Sequence, residues 1–294
     1  MSGANWQIVT NHSGMLGEGP VWDAANKRIL WVDILEGKIH QFSTETFEHK
    51  VFSLNRMVGA IALRASGGLI AALENGFAKI DLEKGITELI SDPEGSLQDN
   101  RFNDGKCDPA GRFLAGTMSV SNKPFAGSLY SIEPDLSVFM KVKDVTCSNG
   151  IAFSHDGLTL YYIDTPTRQV AAFDYNLESG NLSNKRIAID IPELEGFPDG
   201  MTIDTEGMLW IAMWDGWKVS RYNPHTGKLL ENFPLPVSKV TSCTFGGEKL
   251  NDLYITSART GLSVEDLKTQ PYAGCLFVIK NSGFKGIPAH KFNG

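Results

Sequence analysis

No apolar run in the 294-residue chain approaches the roughly 18–20 residues that a helical membrane span requires. A soluble protein with no membrane partner is therefore expected. Positive charge is scarce as well: 27 Lys and Arg against 34 Asp and Glu give a formal charge of −7 and a pI near 5.4. With no basic patch to neutralise phosphates, a nucleic-acid partner is not expected. The four cysteines, Cys107, Cys147, Cys243 and Cys275, have no paired spacing, which argues against a disulfide framework or a thiolate zinc site and fits a reducing cytoplasm. The first residues, Met1 to Asn5, lack a basic patch leading into an apolar stretch, so no secretory leader is expected. No Gly-x-Ser-x-Gly elbow occurs. The six histidines (His12, His40, His49, His155, His225, His290) are expected in turns or on solvent-facing strands, which gives a Ser-His-Asp triad no support. Long helical periodicity is scarce, and no Ser-, Pro- or charge-rich linker divides the chain.

What the chain has in excess is glycine, 30 residues, accompanied by 13 prolines. Many tight turns are implied. The turns punctuate a repeat. Six segments superpose, each with an apolar start, a turn carrying Asp, Ser or Gly, and a second apolar strand: VWDAANKRILWVDI from Val21, IALRASGGLIAAL from Ile61, CDPAGRFLAGTM from Cys107, IAFSHDGLTLYYID from Ile151, MTIDTEGMLWIAM from Met201 and CTFGGEKLNDLYIT from Cys243. A third short strand follows each, and most continue through a turn into a fourth. Four strands every 40–50 residues are the signature of a β-propeller blade, so the chain is expected to be all-β, a six-bladed β-propeller of four-stranded blades forming one domain over residues 1–294. The leading Trp6-Gln7-Ile8-Val9-Thr10 segment is expected to add an outer strand to the last blade and close the ring.

In such a ring the first strand of each blade lines the central channel. Aligned on the turn residues Asp23, Arg64, Asp108, Ser154, Asp204 and Gly246, the position five residues earlier is Glu18, Gly59, Asn103, Asn149, Asp199 and Thr241. Taken singly, Glu18-Gly19, Asn149-Gly150 and Asp199-Gly200 are ordinary turn dipeptides. Their shared register is what singles them out. Two carboxylates and two amides converging on a narrow axis call for a divalent cation, and with no His or Cys in the ring the oxygen donors favour Ca²⁺, Mg²⁺ or Mn²⁺, with Zn²⁺ also admissible. Asp23, Asp108 and Asp204, in contrast, are expected to cap backbone N–H groups in outward turns. Trp210, Trp214 and Trp217 lie near Asp199; two of the three are expected in the core, with Trp214 available to wall the channel.

The strings LGEGPVWD from Leu16, RFNDGKCDPAGRFLAGTM from Arg101, SNGIAFSHDG from Ser148, YYID from Tyr161, FPDGMTID from Phe197, LWIAMWDG from Leu209, TSCTFGG from Thr241 and LYITSAR from Leu253 closely resemble the SMP-30/gluconolactonase/regucalcin family. The resemblance runs in order along nearly the whole chain. It implies a six-bladed propeller with one divalent metal in the channel and, for the members that are enzymes, hydrolysis of sugar lactones. It places the metal on Glu18, Asn149 and Asp199 and substrate contacts on Arg101 and Asn103. One departure stands out: where vertebrate members carry a sugar-contacting glutamate after the AGTM string, this chain reads Ser119-Val120-Ser121, with no acid before Glu133. The Ser119 to Ala126 loop, carrying Pro124 and Phe125, is expected to lie over the channel.

These residues together suggest a gluconolactonase-like hydrolase in which a metal polarises the lactone carbonyl, Asp199 activates water as general base, and Arg101 and Asn103 orient the substrate. An ion pair of Arg101 with Asp99 or Asp104 is the competing assignment for that residue. The alternatives for the whole protein are an esterase or organophosphate hydrolase on the same metal, and a non-catalytic Ca²⁺-binding regulatory protein. The expected partner is a small-molecule lactone, and the expected state a monomer or weak homodimer.

Overall fold

The computed structural model describes residues 6–294, so the leader expectation for Met1 to Asn5 lies outside the described residues. Six antiparallel sheets of four strands follow one another along the chain and form a six-bladed propeller. Their innermost strands are Gly17–Asp23, Val58–Leu63, Asn100–Cys107, Ser148–Phe153, Phe197–Ile203 and Val240–Gly246. Burial falls from axis to rim. Val58–Leu63 and Ser148–Phe153 are buried throughout because neighbouring strands cover both faces, whereas the outermost Ile86–Ser91 is largely exposed. The first strand, Trp6–Ile8, pairs antiparallel with Phe277–Ile279 on the outside of the last blade, so one sheet is built from both ends of the described chain. That covers an edge which would otherwise be open to pairing.

Each blade is joined to the next by its own apolar cluster. Leu30, Val32, Ile61 and Leu69 fill the first-to-second junction, Trp210, Phe233, Phe245 and Ile255 the fifth-to-sixth, and Trp22, Trp31, Tyr254 and Leu276 the sixth-to-first. Burying each such side chain contributes about 1.5–3 kcal/mol. The rigid element of the ring is therefore the packing between sheets as much as the hydrogen bonds within them.

All six innermost strands carry a register shift against the second strand at the same height: between Glu18 and Val21, Val58 and Ala60, Phe102 and Asp104, Asn149 and Ile151, Pro198 and Met201, and Val240 and Ser242. A bulge breaks the two-residue alternation of a strand and re-aims a side chain. The sixfold repetition lays one turned-in position per blade around the axis. Crowding there restricts the residue type: a Cβ on Gly150 would meet the Asp199 carbonyl oxygen at 2.7 Å and Met201 Cβ at 2.9 Å.

The opposite end of the channel is covered by the C-terminal segment. Thr205 N donates to Lys285 O (2.7 Å), Gly286 N to Leu250 O (2.8 Å), Phe292 N to Leu63 O (2.9 Å) and Asn293 N to Gly111 O (3.0 Å), and the Phe292 ring is fully buried. Ile287 to His290 form the floor of a narrow, mainly apolar cavity of about 80 Å³ lined by innermost strands of all six blades. No helix among the described residues is long and apolar enough to cross a membrane.

Candidate active site at the channel mouth

The sixfold bulge brings Glu18, Asn103, Asn149 and Asp199 together, all buried. The contacts form one connected chain. Arg101 Nη1 donates to Asn103 Oδ1 (2.7 Å) and to the Phe102 carbonyl (2.9 Å); Asn103 Nδ2 donates to Ser148 O (2.9 Å) and Asn149 Oδ1 (3.2 Å). Asn149 Nδ2 then donates to Thr165 Oγ1 (2.9 Å), whose hydroxyl donates to the Pro198 carbonyl (2.8 Å), next to Asp199. Both ends of the Asn103 amide are thus engaged by protein, while Asn149 Oδ1 and the two carboxylates keep lone pairs for another group. Arg101 does not pair with Asp99 or Asp104. Asp99 instead accepts from the hydroxyls of Ser119 (2.7 Å) and Ser121 (2.5 Å) and pairs with Lys123 (3.5 Å).

The electrostatics are strained. Burial is the main reason the Glu18 carboxyl is pushed well above its ordinary range, and the charges of Asp199 and Asp104 add to it; the Gly19 N–H (2.9 Å to Oε2) and Arg101 pull the other way. Asp199 is likewise raised by burial and then by Asp104, against a hydrogen bond with Glu18, the Gly200 N–H and Arg101. Burial also raises Asp104, which Lys106 and the Gly105 N–H oppose. Three carboxyls crowd the channel with Arg101 and Lys106 as the buried cations beside them, and this arrangement attracts further positive charge. Nearby, burial and then Asp199 push the Cys147 thiol up to about 12, so it remains an unreactive thiol at neutral pH.

Asp104 and Lys106 escaped the sequence reading. Both line the channel below the ring, with Lys106 Nζ donating to the Met201 carbonyl (2.5 Å). The available signal was a lysine inside an otherwise apolar innermost strand.

Above the ring, Leu16, Leu35, Met57, Met118, Val120 and Trp214 border a mouth of about 340 Å³ that contains Arg101. The Trp214 ring faces this mouth, held by Lys239 Nζ at 4.1 Å, and Lys239 is itself paired with Asp215 at 3.2 Å. Val120 and Asn122 of the Ser119 to Ala126 loop reach the mouth, but Ser121 is turned away toward Asp99, and Phe125 is exposed.

Three expectations need correction. Only Trp210 of the three tryptophans is in the core, where its Nε1 donates to Asp204 Oδ2 (2.9 Å); Trp217 stands exposed because the turn holds both Asp215 and Trp217 at positive φ. Asp23, Asp108 and Asp204 do cap turn N–H groups, yet all are buried and each also binds an arginine, Arg28, Arg112 and Arg221 respectively. They are internal struts as well as turn caps. Among the histidines only His40 departs from the expectation: it is fully buried, lies 3.1 Å through Nδ1 from His49 Nε2, and is stacked on Trp31, whereas His155 and His225 stand exposed in turns.

Residues 16–259 match the family described as SMP-30/Gluconolactonase/LRE-like region. Across its full length the chain is 42% identical to regucalcin of Danio rerio and 40% identical to regucalcin of Gallus gallus, with all of each relative covered. Among solved structures, a luciferin-regenerating enzyme superposes with a TM-score of 0.92 at 30% identity, covering 98% of this chain and 99% of that one.

Proposed function

The chain belongs to the SMP-30/gluconolactonase/LRE-like family, and from that membership and the channel geometry we propose that it is a divalent-metal-dependent lactone hydrolase. The observation that carries the reading is the pair of buried carboxylates, Glu18 and Asp199, both raised by burial and then by neighbouring carboxylate charge, Asp199 and Asp104 acting on Glu18 and Asp104 on Asp199, directly beside Arg101 and Asn103. Glu18, Asn149 and Asp199 would hold the ion: they offer oxygen donors with no imidazole or thiolate, which suits Ca²⁺, Mg²⁺ or Mn²⁺ and admits Zn²⁺. When bound, the ion supplies Lewis acidity to a carbonyl oxygen and neutralises the crowded carboxylates.

The chain's own groups then divide the work. Asp199 accepts the proton of the attacking water as the new C–O bond forms, and returns it to the ring oxygen when the acyl C–O bond breaks. The product is a single hydroxy acid, carrying the new carboxyl group and the released hydroxyl, with water as the only other reactant. Asn149 cannot accept that proton, because a neutral amide is not a base near neutral pH. The Arg101 guanidinium, fixed by Phe102 O and Asn103 Oδ1, donates to developing negative charge, and Asn103 holds that guanidinium in place. A purely Ca²⁺-binding role would need Glu18, Asn149 and Asp199 but not the Arg101–Asn103 pair, which favours turnover.

The mouth refines the substrate. With Ser121 directed at Asp99 and Leu35, Met57, Val120 and Trp214 around the opening, lactones bearing an apolar substituent fit this rim better than fully hydroxylated ones. The test strips the protein with chelator, restores one divalent ion at a time, and follows acid release from D-glucono-δ-lactone, an aryl-substituted lactone, an aryl ester and a phosphotriester. Lactone turnover that needs metal and disappears in Asp199→Asn supports the proposal. Turnover of every substrate unchanged in Asp199→Asn, with metal still bound, refutes it.

A further inference from the structure

A second group of metal-binding side chains lies outside the channel, on the first blade. One ring nitrogen of His12 and one carboxylate oxygen each from Asp33 and Glu36 lie within 4.8 Å of one another. The three come from different elements: His12 from the segment leading into Gly17–Asp23, Asp33 from the end of Arg28–Asp33, and Glu36 from the turn that follows. Asp33 is buried and Glu36 exposed, where its Oε2 is held by Lys38 Nζ at 2.7 Å, so the group has an inner wall and an outer side on which an incoming ion would compete with that ammonium. We propose that His12, Asp33 and Glu36 form a second cation site, selective for a borderline transition ion of the Zn²⁺ class, distinct from the all-oxygen ring in the channel.

An independent observation points the same way. The His12 ring lies 4.5 Å from that of His40, which is fully buried; Nδ1 of His40 is taken by His49, yet Nε2 of His40 and Nε2 of His12 are both shut off from solvent with no hydrogen-bond partner among the described residues. A desolvated, unpaired imidazole nitrogen is costly, and two in adjacent rings are not a packing convenience.

The donor chemistry separates the two sites. An imidazole with two carboxylates suits Zn²⁺ and its neighbours in the first transition row, while the channel offers oxygen alone. The site would also act on the mouth. Asp33 accepts from Met15 N (2.6 Å) and Leu16 N (3.3 Å) on one side and from Glu36 N (3.0 Å) on the other, so it ties together the segments that present Leu16 and Leu35 to the opening. An ion across His12, Asp33 and Glu36 would pin both. None of this depends on the lactone-hydrolase reading.

The experiment uses the full chain, stripped of metal, with the channel first filled by Ca²⁺ and Zn²⁺ then titrated by calorimetry; the zinc-loaded sample is examined by X-ray absorption for imidazole scattering. The expected result is one Zn²⁺ bound while Ca²⁺ is retained, with an imidazole signature. Both are lost in His12→Ala, and the affinity falls at least about tenfold in Glu36→Gln. Circular dichroism of both variants verifies the fold, and Asp33, which caps three backbone N–H groups, is left intact. Zinc that only displaces Ca²⁺, zinc bound without imidazole scattering, or zinc binding unchanged in His12→Ala would each overturn the proposal.

Discussion

Replacing Asp199 by Asn should make the metal-free protein more stable while abolishing its activity. Glu18, Asp104 and Asp199 are buried together, and burial followed by neighbouring carboxylate charge raises both Glu18 and Asp199 well above the ordinary range. A carboxyl whose pKa is higher folded than unfolded helps the folded state bind protons. Its contribution is most favourable below the unfolded pKa and is lost as pH rises toward the folded one. Each unit of elevation corresponds to about 1.4 kcal/mol. An amide at position 199 removes that liability and relieves Glu18, for a net gain of about 1–3 kcal/mol at neutral pH. With an unfolding entropy of about 2.1 cal/mol/K per residue, or roughly 0.6 kcal/mol/K for this chain, Tm should rise by about 2–5 °C. Added metal should reverse the order, since an ion at 100 times its Kd stabilises the wild type by about 2.7 kcal/mol, or about 4 °C, while the variant has lost a charged ligand. Calorimetric melts at matched scan rates, in chelator and then in Ca²⁺, would show the two proteins changing places. A variant that melts at or below the wild type in chelator, with native circular dichroism, would refute the claim that the empty ring is under electrostatic strain.

Arg101→Lys should lower kcat/KM by about 10²–10³-fold with Ca²⁺ affinity unchanged, because an ammonium cannot bridge Phe102 O and Asn103 Oδ1 as the guanidinium does; wild-type kinetics would remove Arg101 from the site. The neutral, buried His40, at about 3 against 6.5 when unfolded, gives stability that is full above pH 6.5 and lost as pH falls toward 3, about 2 kcal/mol of it by pH 5. Between pH 7 and 5, therefore, Tm of His40→Asn should fall about 3 °C less than that of the wild type, and equal slopes would show that His40 does not carry the effect. Asp204→Ala strips Trp210 Nε1 of its partner (2.9 Å) and the buried Arg221 of the buried one of its two carboxylates (2.7 Å), leaving only the more exposed Glu206, and a loss of about 3–5 kcal/mol should be seen in urea denaturation; a change within 1 kcal/mol would mean that Glu206 and solvent suffice for Arg221.

The ring at Glu18, Asn103, Asn149 and Asp199 was legible because each innermost strand ends on a recognisable turn residue, and a count of five from that residue reaches the same height in every blade. What the count could not supply was the bulge. A register shift between Phe102 and Asp104 leaves no mark in residue type, yet it turns Asn103 inward and leaves Asp104 to line the channel below. The third strands and the closing Trp6–Ile8 strand were visible as alternating segments of the right length. The burial of His40 was not, since alternation along Lys38–Ser43 does not tell which face meets the neighbouring blade. Trp217 was misplaced because a positive φ at a residue other than glycine has no sequence signature. The three buried aspartate struts hid for another reason: Arg28 and Arg112 lie within five residues of their partners, but Arg221 reaches Asp204 from two strands away.

The segment Ile287 to His290 lies across the lower end of the channel, opposite the mouth that contains Arg101. A tunnel open at both ends would let an acid depart below while the next lactone arrived above. Under the proposed hydrolysis the traffic would be two-way through the mouth that contains Arg101, so the hydroxy acid would leave against the incoming substrate and past the same guanidinium that received it. Occupancy by one excludes the other, and product inhibition should be strictly competitive, strengthening as the bulk above the ring increases.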